Sequence, residues 1–572
     1  MSDAEVDRRR ARLEETLGGW TPMGLAERFD TTAAAYADRS YVLTDSTSYS
    51  YAEIRDWSRL LARGLYDLGV RPGDAVAMVI DNRPEFVAVK LAIARLGATA
   101  VPINFSYRAA ELATVLNTCG ASVLVTIDAA IGVDHLDALD ELAPGWESDV
   151  LAEGHGERLP ALRQIVLVSN SRRPRALDLD GLAERGRGVD EGAVREIEHA
   201  VDPNAVCDIV FTSGTSGHPL GAVLTHDMVL RSAYGSAYHR GFADGWRIGF
   251  SLPMYHVFGY VEGMLAALFA GGAIAPHAVF NPRTILTSIA THRLQEVLFV
   301  PTMSIAVVEE ATRHSYDTSS LESVFSAAAA APVRLWQQID EVLGPRQVFT
   351  GYGQTEVSAA TALTLPGDPL EVVAETVGRM KLGGSAALPE MDGALAAYRT
   401  VDPFTGDPLA PGDEGELAVR GPIVTTHYFD DPERTAALID ADGWLRTGDL
   451  GRVRPDGYLE LTGRSGELFK VGGELVAPQQ VERALTSHPA VEQAYVAGVP
   501  DARLGEVGWA WVVATPDGSV TEEELLRHCR ARLAAFKVPR RVVLVDADDL
   551  PKTTTGKIQK YRLVSEADGR RP

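Results

Sequence analysis

Cysteine is nearly missing from this chain: its 572 residues include three, Cys119, Cys207 and Cys529. They stand far apart, which excludes a disulfide-stapled scaffold and any zinc site built from paired cysteines. Scattered thiols of this kind fit a reducing compartment, so a cytoplasmic location is expected. A basic excess is missing too, because 54 Lys and Arg face 78 Asp and Glu, a formal net charge of -24. So acidic a surface repels duplex DNA and RNA unless a basic patch is sequestered. Arg8-Arg9-Arg10 is a short basic run flanked by acids, a solvated helix end, and no nucleic-acid partner is expected. The most apolar stretch, Val261–Ala275, is interrupted by Glu262 and by Gly271-Gly272. It is too short to span a bilayer, so no stable membrane insertion is expected. Residues 1–20 lack the apolar core of a secretory signal.

What is present is ordinary globular composition, 46% hydrophobic and 23% charged, over a length that implies two or more domains. Short apolar runs at Ala75–Ile80, Ala100–Ile103, Val123–Thr126, Ile165–Val168, Val297–Val300 and Val348-Phe349 read as strands. Helical patterns alternate with them, as at Pro84–Leu96. This predicts an α/β fold with parallel-rich sheets, whose sites gather at the carboxyl ends of strands. Ala129–Arg163 is acidic and rich in Gly and Pro, and reads as irregular surface. Ala327–Ala331, closed by Pro332, reads as a helix or, preferably, as a packed strand-to-loop transition. Near residue 463 the character changes. Strands at Glu492–Val499, Trp509–Ala514 and Arg541–Val545 and a helix at Glu522–Leu533 suggest a small mobile α+β domain, residues 463–572, hinged to a large one, residues 1–462.

Six segments carry chemistry. Thr212-Ser213-Gly214-Thr215-Ser216-Gly217 follows the apolar Ile209–Phe211. Its backbone N–H groups and hydroxyls can converge on an anion, although such a loop is equally a polar turn between strands. Gly351-Tyr352-Gly353-Gln354-Thr355-Glu356 offers an aromatic for a purine and a carboxylate for Mg²⁺. Asp449, within Trp444–Asp449, suits the two hydroxyls of a ribose, and Arg464 adds a cation at the hinge. Lys470 with Gly472-Gly473 follows, readable either as coenzyme contacts or as a solvated lysine and a turn. Pro551–Lys557 ends in a lysine on a tight loop, but Pro551 and Ile558 stand where a Walker loop needs Gly and Ser or Thr.

In this order and spacing the segments resemble the adenylate-forming superfamily of acyl-CoA synthetases, peptide-synthetase adenylation domains and luciferases. Pro253-Met254-Tyr255-His256-Val257-Phe258-Gly259 looks most like the acyl-CoA synthetases. The resemblance implies an ATP-dependent ligase: a small-molecule carboxylic acid is adenylated with release of pyrophosphate, and coenzyme A then displaces AMP. It further implies that Thr212, Ser213, Gly214, Thr215, Ser216 and Gly217 cradle phosphates and that Thr215 and Glu356 handle Mg²⁺. Tyr352, Asp449 and Arg464 would serve adenine and ribose, and Lys557 would neutralise charge during the first step. His256, Ala330, Ala331 and Gly351 would line the acid pocket, His256 being otherwise a packed core histidine. Lys470, Gly472 and Gly473 would meet coenzyme A.

The chain departs from the family pattern in places. Leu220 stands where the phosphate loop ordinarily continues with lysine, which weakens contact with the outer phosphates, since charge-assisted bonds are about twice as strong as neutral ones. The alanines at 328–331 replace a glycine-bearing segment, and their methyls favour a small or flat acid over a long straight one. Gly466 replaces a basic hinge residue. Two rivals follow: an adenylating ligase with another acceptor or acid (an amine, a carrier-protein thiol, or nitrite in diazotisation), and a nucleotide-binding protein that has lost catalysis. Retention of Lys557, Glu356 and Asp449 argues against the latter. The acid and the oligomeric state are not written in these motifs.

Overall fold

The computed structural model describes residues 2–130, 132–147, 157–213, 219–329, 331–501, 503–515, 518–552 and 558–568. Short apolar strands cannot bury both faces alone, and here they assemble into two parallel-rich sheets that share a core. The first orders Gln347–Phe349, Ser323–Ser326, Glu296–Phe299, Arg247–Phe250, Ala273–Pro276, Ser40–Leu43 and Ser48–Ser50, all parallel except the last pair. The second orders Pro219–Thr225, Val206–Ser213, Thr99–Pro102, Ala75–Val79, Val123–Thr126 and Gln164–Leu167, parallel except at the Pro219–Thr225 edge.

Side chains of the second sheet alternate between two clusters. Val76 and Met78 join the core shared with the first sheet, while Ala77 and Val79 pack with Leu112, Val115 and Leu116 of the Ala109–Cys119 helix. Two helices lie deep in the large domain. Pro84–Arg95, opened by Pro84, is buried throughout, and His226–Arg240 is buried except at Tyr238. Thr225 caps the latter by accepting from the Met228 N–H at 3.2 Å.

The expected strands form within a residue or two of their expected ends, except that Trp509–Ala514 begins four residues earlier, at Gly505; the helix expected over Glu522–Leu533 ends at Arg530. Ala129–Arg163 is a correction, because it carries a short hairpin, Ala129–Ala130 with Val133–Asp134, and a helix, His135–Leu142. Its acidic composition hid the spacing of Leu136, Leu139 and Leu142, which are buried, and the cap at Asp134, which accepts from the Leu136 and Asp137 N–H groups. The alanine run follows a strand, Ser323–Ser326, and precedes the helix Val333–Leu343, so in its described residues it is a strand-to-loop transition.

A three-stranded antiparallel sheet (Gly351–Gln354, Ala359–Leu363, Arg379–Met380) and a four-stranded one (Ala397–Val401, Gly415–Arg420, Leu445–Val453, Leu459–Arg464) follow along the chain. After Arg464 the chain enters another sheet, built from Phe469–Val471, Glu474–Val476, Val491–Asp501, Gly505–Ala514 and Arg541–Leu544. Helices Pro478–Thr486 and Glu522–Arg530 cover it with Val481, Leu485, Leu525 and Cys529. The architecture is thus α/β with parallel-rich sheets and a smaller C-terminal α+β unit.

Candidate active site

Strands Val206–Ser213 and Pro219–Thr225 pair antiparallel, with Ser213 opposite Pro219 and Thr212 opposite Leu220. The connection between them, and with it Gly214, Thr215, Ser216 and Gly217, lies outside the described residues, as does the Ser213 side chain. Thr212 Oγ1 donates to the Leu220 carbonyl at 3.4 Å. The strand's other edge is covered by residues 425–429. Phe429 N–H donates to the Gly221 carbonyl at 2.8 Å, and Thr425 Oγ1 to that of Val223 at 2.7 Å.

Thr425 also reaches the second motif, donating its N–H to the Glu356 carbonyl at 2.7 Å. The Glu356 side chain accepts from Tyr428 Oη at 3.0 Å. Burial pushes the Glu356 carboxyl above the usual carboxylate range, and its hydrogen bonds only partly offset that. One short segment therefore ties the carboxylate to the strand that leaves the Thr/Ser/Gly loop.

Tyr352 and Asp449 also come together. Tyr352 Oη donates to Asp449 Oδ2 at 2.5 Å, and Arg464 Nε donates to Oδ1 at 2.7 Å. Pairing of Asp449 opposite Arg464 in adjacent strands sets that ion pair. Burial and the Asp449 charge hold the Tyr352 hydroxyl far above an ordinary tyrosine, so it stays a donor. Burial opposes the Arg464 charge, but Asp449 outweighs it. Gly353 is required between these groups: a Cβ there would sit 1.8 Å from the Ala359 carbonyl oxygen. Ser358 and Ala359 turn back with φ of 54° and 87°, an arrangement that costs about 1–2 kcal/mol per non-glycine residue.

On the acid side, half-buried His256 follows the Arg247–Phe250 strand, and its Nδ1 accepts from the Phe258 N–H at 3.2 Å. A π-helix, Phe258–Leu265, begins there. The Phe258 ring stands edge-on to Phe325, 5.1 Å away, and a Cβ at Gly351 would lie 3.4 Å from Phe325. His256 thus touches the backbone of one ring of this pair, and Gly351 neighbours the other ring. Ala331 is half-buried, and Ala330 lies outside the described residues.

In the small domain Lys470 is exposed, with its backbone N–H on Glu506 Oε2 at 3.0 Å. Gly472 and Gly473 have φ of 60° and 96° in the tight turn joining Phe469–Val471 to Glu474–Val476, which favours glycine whatever else they contact. Lys557 lies outside the described residues. Sequence reasoning missed Tyr428, for which there was no signal. It also missed Lys560, which pairs with Glu467 at 2.7 Å and Glu482 at 2.8 Å. Glu262 did signal itself, as a lone charge in an apolar run.

Residues 29–429 match the AMP-binding enzyme family, and residues 480–557 match the AMP-binding enzyme C-terminal domain. A Mycobacterium tuberculosis ligase of coenzyme A with 3-[(3aS,4S,7aS)-7a-methyl-1,5-dioxo-octahydro-1H-inden-4-yl]propanoate is 35% identical, across 92% of this chain and 95% of its own. The mitochondrial medium-chain acyl-CoA ligase ACSF2 of Danio rerio is 30% identical, across 93% and 86%. Among solved structures, ATP-bound MatB from Rhodopseudomonas palustris superposes with a TM-score of 0.79 at 26% identity, covering 95% of this chain and 99% of that one. The o-succinylbenzoate coenzyme A synthetase MenE of Bacillus subtilis, in complex with AMP, reaches 0.74 at 26% identity, covering 94% and 97%.

Proposed function

We propose the function from one premise: the chain belongs to the AMP-binding enzyme family. It is an ATP-dependent acid–thiol ligase that adenylates a carboxylic acid and passes the acyl group to coenzyme A. A carboxylate oxygen attacks the α-phosphorus and pyrophosphate leaves. The thiol then attacks the acyl carbon and AMP leaves. Among the described residues, the observation that carries the reading is the Tyr352–Asp449–Arg464 cluster beside a buried Glu356, within the family-matched span.

That geometry supports the roles proposed for Tyr352, Asp449, Arg464 and Glu356, and the family resemblance supports the others. Asp449, fixed by Tyr352 and Arg464, keeps lone pairs in a set orientation for ribose hydroxyls, while the Tyr352 ring offers a face to adenine. Thr212 and Ser213, with Gly214, Thr215, Ser216 and Gly217, hold the outer phosphates. Glu356, with Thr215, suits Mg²⁺, which is commonly held through one or two carboxylates plus substrate phosphates. The described residues contain no group of three His, Cys, Asp or Glu side chains able to cage a metal, and a single buried carboxylate fits that mode. Bound there, the ion would supply charge neutralisation at the phosphates. Lys557 would do the same at the carboxylate and α-phosphate, an electrostatic and positioning task. His256, Gly351, Ala330 and Ala331 shape the acid pocket, and Lys470, Gly472 and Gly473 are candidates for coenzyme A. For the acid we propose a compact or ring-bearing molecule. Methyl groups at Ala328–Ala331 support this, as does the bicyclic propanoate named for the 35%-identical relative.

A substrate panel scored for pyrophosphate and AMP, with and without coenzyme A, tests the reading. Coenzyme-dependent AMP release is expected, with ring-bearing and short acids ahead of C16. AMP release with an amine or nitrite alone would replace the acceptor, and no release with any acid would remove the enzymatic reading.

A further inference from the structure

We infer that Glu262 is a positioning residue for the nucleotide side of the site, holding the Ser358–Ala359 turn and through it setting Tyr352 and Glu356. The inference rests on the reading of the site proposed above. Glu262 lies in the π-helix that begins just after His256. Its Oε1 accepts from the Ala360 N–H at 3.1 Å, immediately after the turn. Its Oε2 lies 3.3 Å from Arg240, whose guanidinium also donates to the Glu262 carbonyl at 2.9 Å and to Glu296 Oε2 at 2.8 Å. Lys381 Nζ is 3.5 Å from Glu262 Oε1 and donates to Ser232 Oγ at 2.7 Å. Ser232 Oγ in turn donates to the Ser358 carbonyl at 2.5 Å. The peptide groups on both sides of Ala359 are therefore tied to one network.

That network is sealed. Arg240, Glu262, Glu296 and Lys381 are each at most 1% exposed, and two cations balance two carboxylates. In so low a dielectric any shift uncovers a charge, so the arrangement is stiff. Burial pulls Lys381 down to about 8, with Glu262 as the main influence keeping its proton. On the far side of the turn the Ala359 carbonyl abuts Gly353 so closely that no Cβ fits. The turn cannot shift without moving the strand that carries Tyr352, and Glu356 stands two residues before Ser358. Glu262 thereby links the helix after His256, on the acid side, to the groups proposed for the nucleotide.

The test uses the full chain as Glu262→Gln and Ala359→Gly. Each is read by thermal unfolding, calorimetric ATP affinity and ATP–pyrophosphate exchange. Glu262→Gln keeps the volume and an oxygen for the Ala360 N–H but removes the charge. Ala359→Gly leaves every network side chain in place and frees the turn. Glu262→Gln is expected to weaken ATP binding about tenfold and to lower exchange kcat about tenfold, with the acid KM within about twofold. Ala359→Gly is expected to keep or raise the unfolding midpoint while ATP affinity falls about threefold or more. A purely structural role would lower the midpoint of Glu262→Gln and leave ATP affinity unchanged in both variants, and that result overturns the inference. If Glu262→Gln does not fold, Ala359→Gly decides alone. Wild-type protein that binds no ATP overturns the functional reading and this inference together, whereas variants that bind ATP as wild type does overturn the inference alone.

Discussion

The deepest ion pairs in the two parts of this molecule differ in style. In the large domain, beneath many exposed pairs, they are sealed: Lys90 sits 2.6 Å from Asp208 with both side chains at most 1% exposed, and Arg240 and Lys381 are buried as completely. In the small domain Lys560 joins Glu467 and Glu482 where the three side chains remain 18%, 31% and 16% exposed. A sealed pair cannot be exchanged without leaving a bare charge in low dielectric, while a wet one can be released into water. The first style suits a platform that holds geometry. The second suits a tie that holds Glu467, next to Gly466 of the expected hinge, to the rest of the small domain while leaving it reachable by water.

The largest effect should come from breaking the sealed style. Lys90→Met leaves Asp208 buried with Tyr260 Oη still donating at 3.2 Å but, among the described residues, no cation paired with it, and should cost about 3–5 kcal/mol in unfolding experiments. Adding Asp208→Leu should recover much of that. If the single variant is as stable as wild type, the platform argument fails.

Acid should attack the large domain for the same reason. Burial pulls His226 and His239 down from 6.5 to about 3, and the bonds of His239, to the Thr364 carbonyl and from the Leu382 N–H, suit a neutral ring. The unfolded chain takes up these protons below about pH 6.5 and the folded one only near 3. Stability is thus present above 6.5 and lost as pH falls, at about 1.4 kcal/mol per pH unit for each histidine. His239→Gln should flatten that slope in unfolding curves taken from pH 7 to 4, and an unchanged slope would remove the assignment.

A smaller effect is expected at the nucleotide edge. Leu220→Lys should tighten ATP binding up to about tenfold by adding a charge-assisted contact, measured by calorimetry. Equal affinity would mean another cation already serves those phosphates. The smallest stability change belongs to the half-buried cluster, where Lys560→Met should cost less than breaking the sealed Lys90 pair does. Because Glu467 adjoins Gly466 of the expected hinge, Lys560→Met should also alter the ratio of pyrophosphate exchange to thioester formation, and an unaltered ratio would detach Lys560 from the hinge.

Legibility in the sequence followed the range of the forces involved. Ala75–Val79 and Pro84–Arg95 announced themselves because burial on both faces demands continuous apolar residues. Tyr352, Glu356, Asp449 and Arg464 were singled out because groups suited to a nucleotide come in short strings, and the fold brings Tyr352, Asp449 and Arg464 together. The helix at His135–Leu142 was obscured, since an acidic exterior masked three leucines and a cap. Tyr428 and Lys560 were invisible, because nothing local marks a side chain whose partner lies 72 or 93 positions away.

Local periodicity and short motifs were enough for the α/β class, for several of the strands and for the adenylate-forming family, because each is a property of neighbouring residues. Packing was needed to show that Ser213 and Pro219 belong to an antiparallel pair, that Thr425 couples the Pro219–Thr225 strand to Glu356, and that Glu262 is clamped under a strained turn. Those outcomes depend on which distant charges and carbonyls are sealed from water together, and only packing settles that.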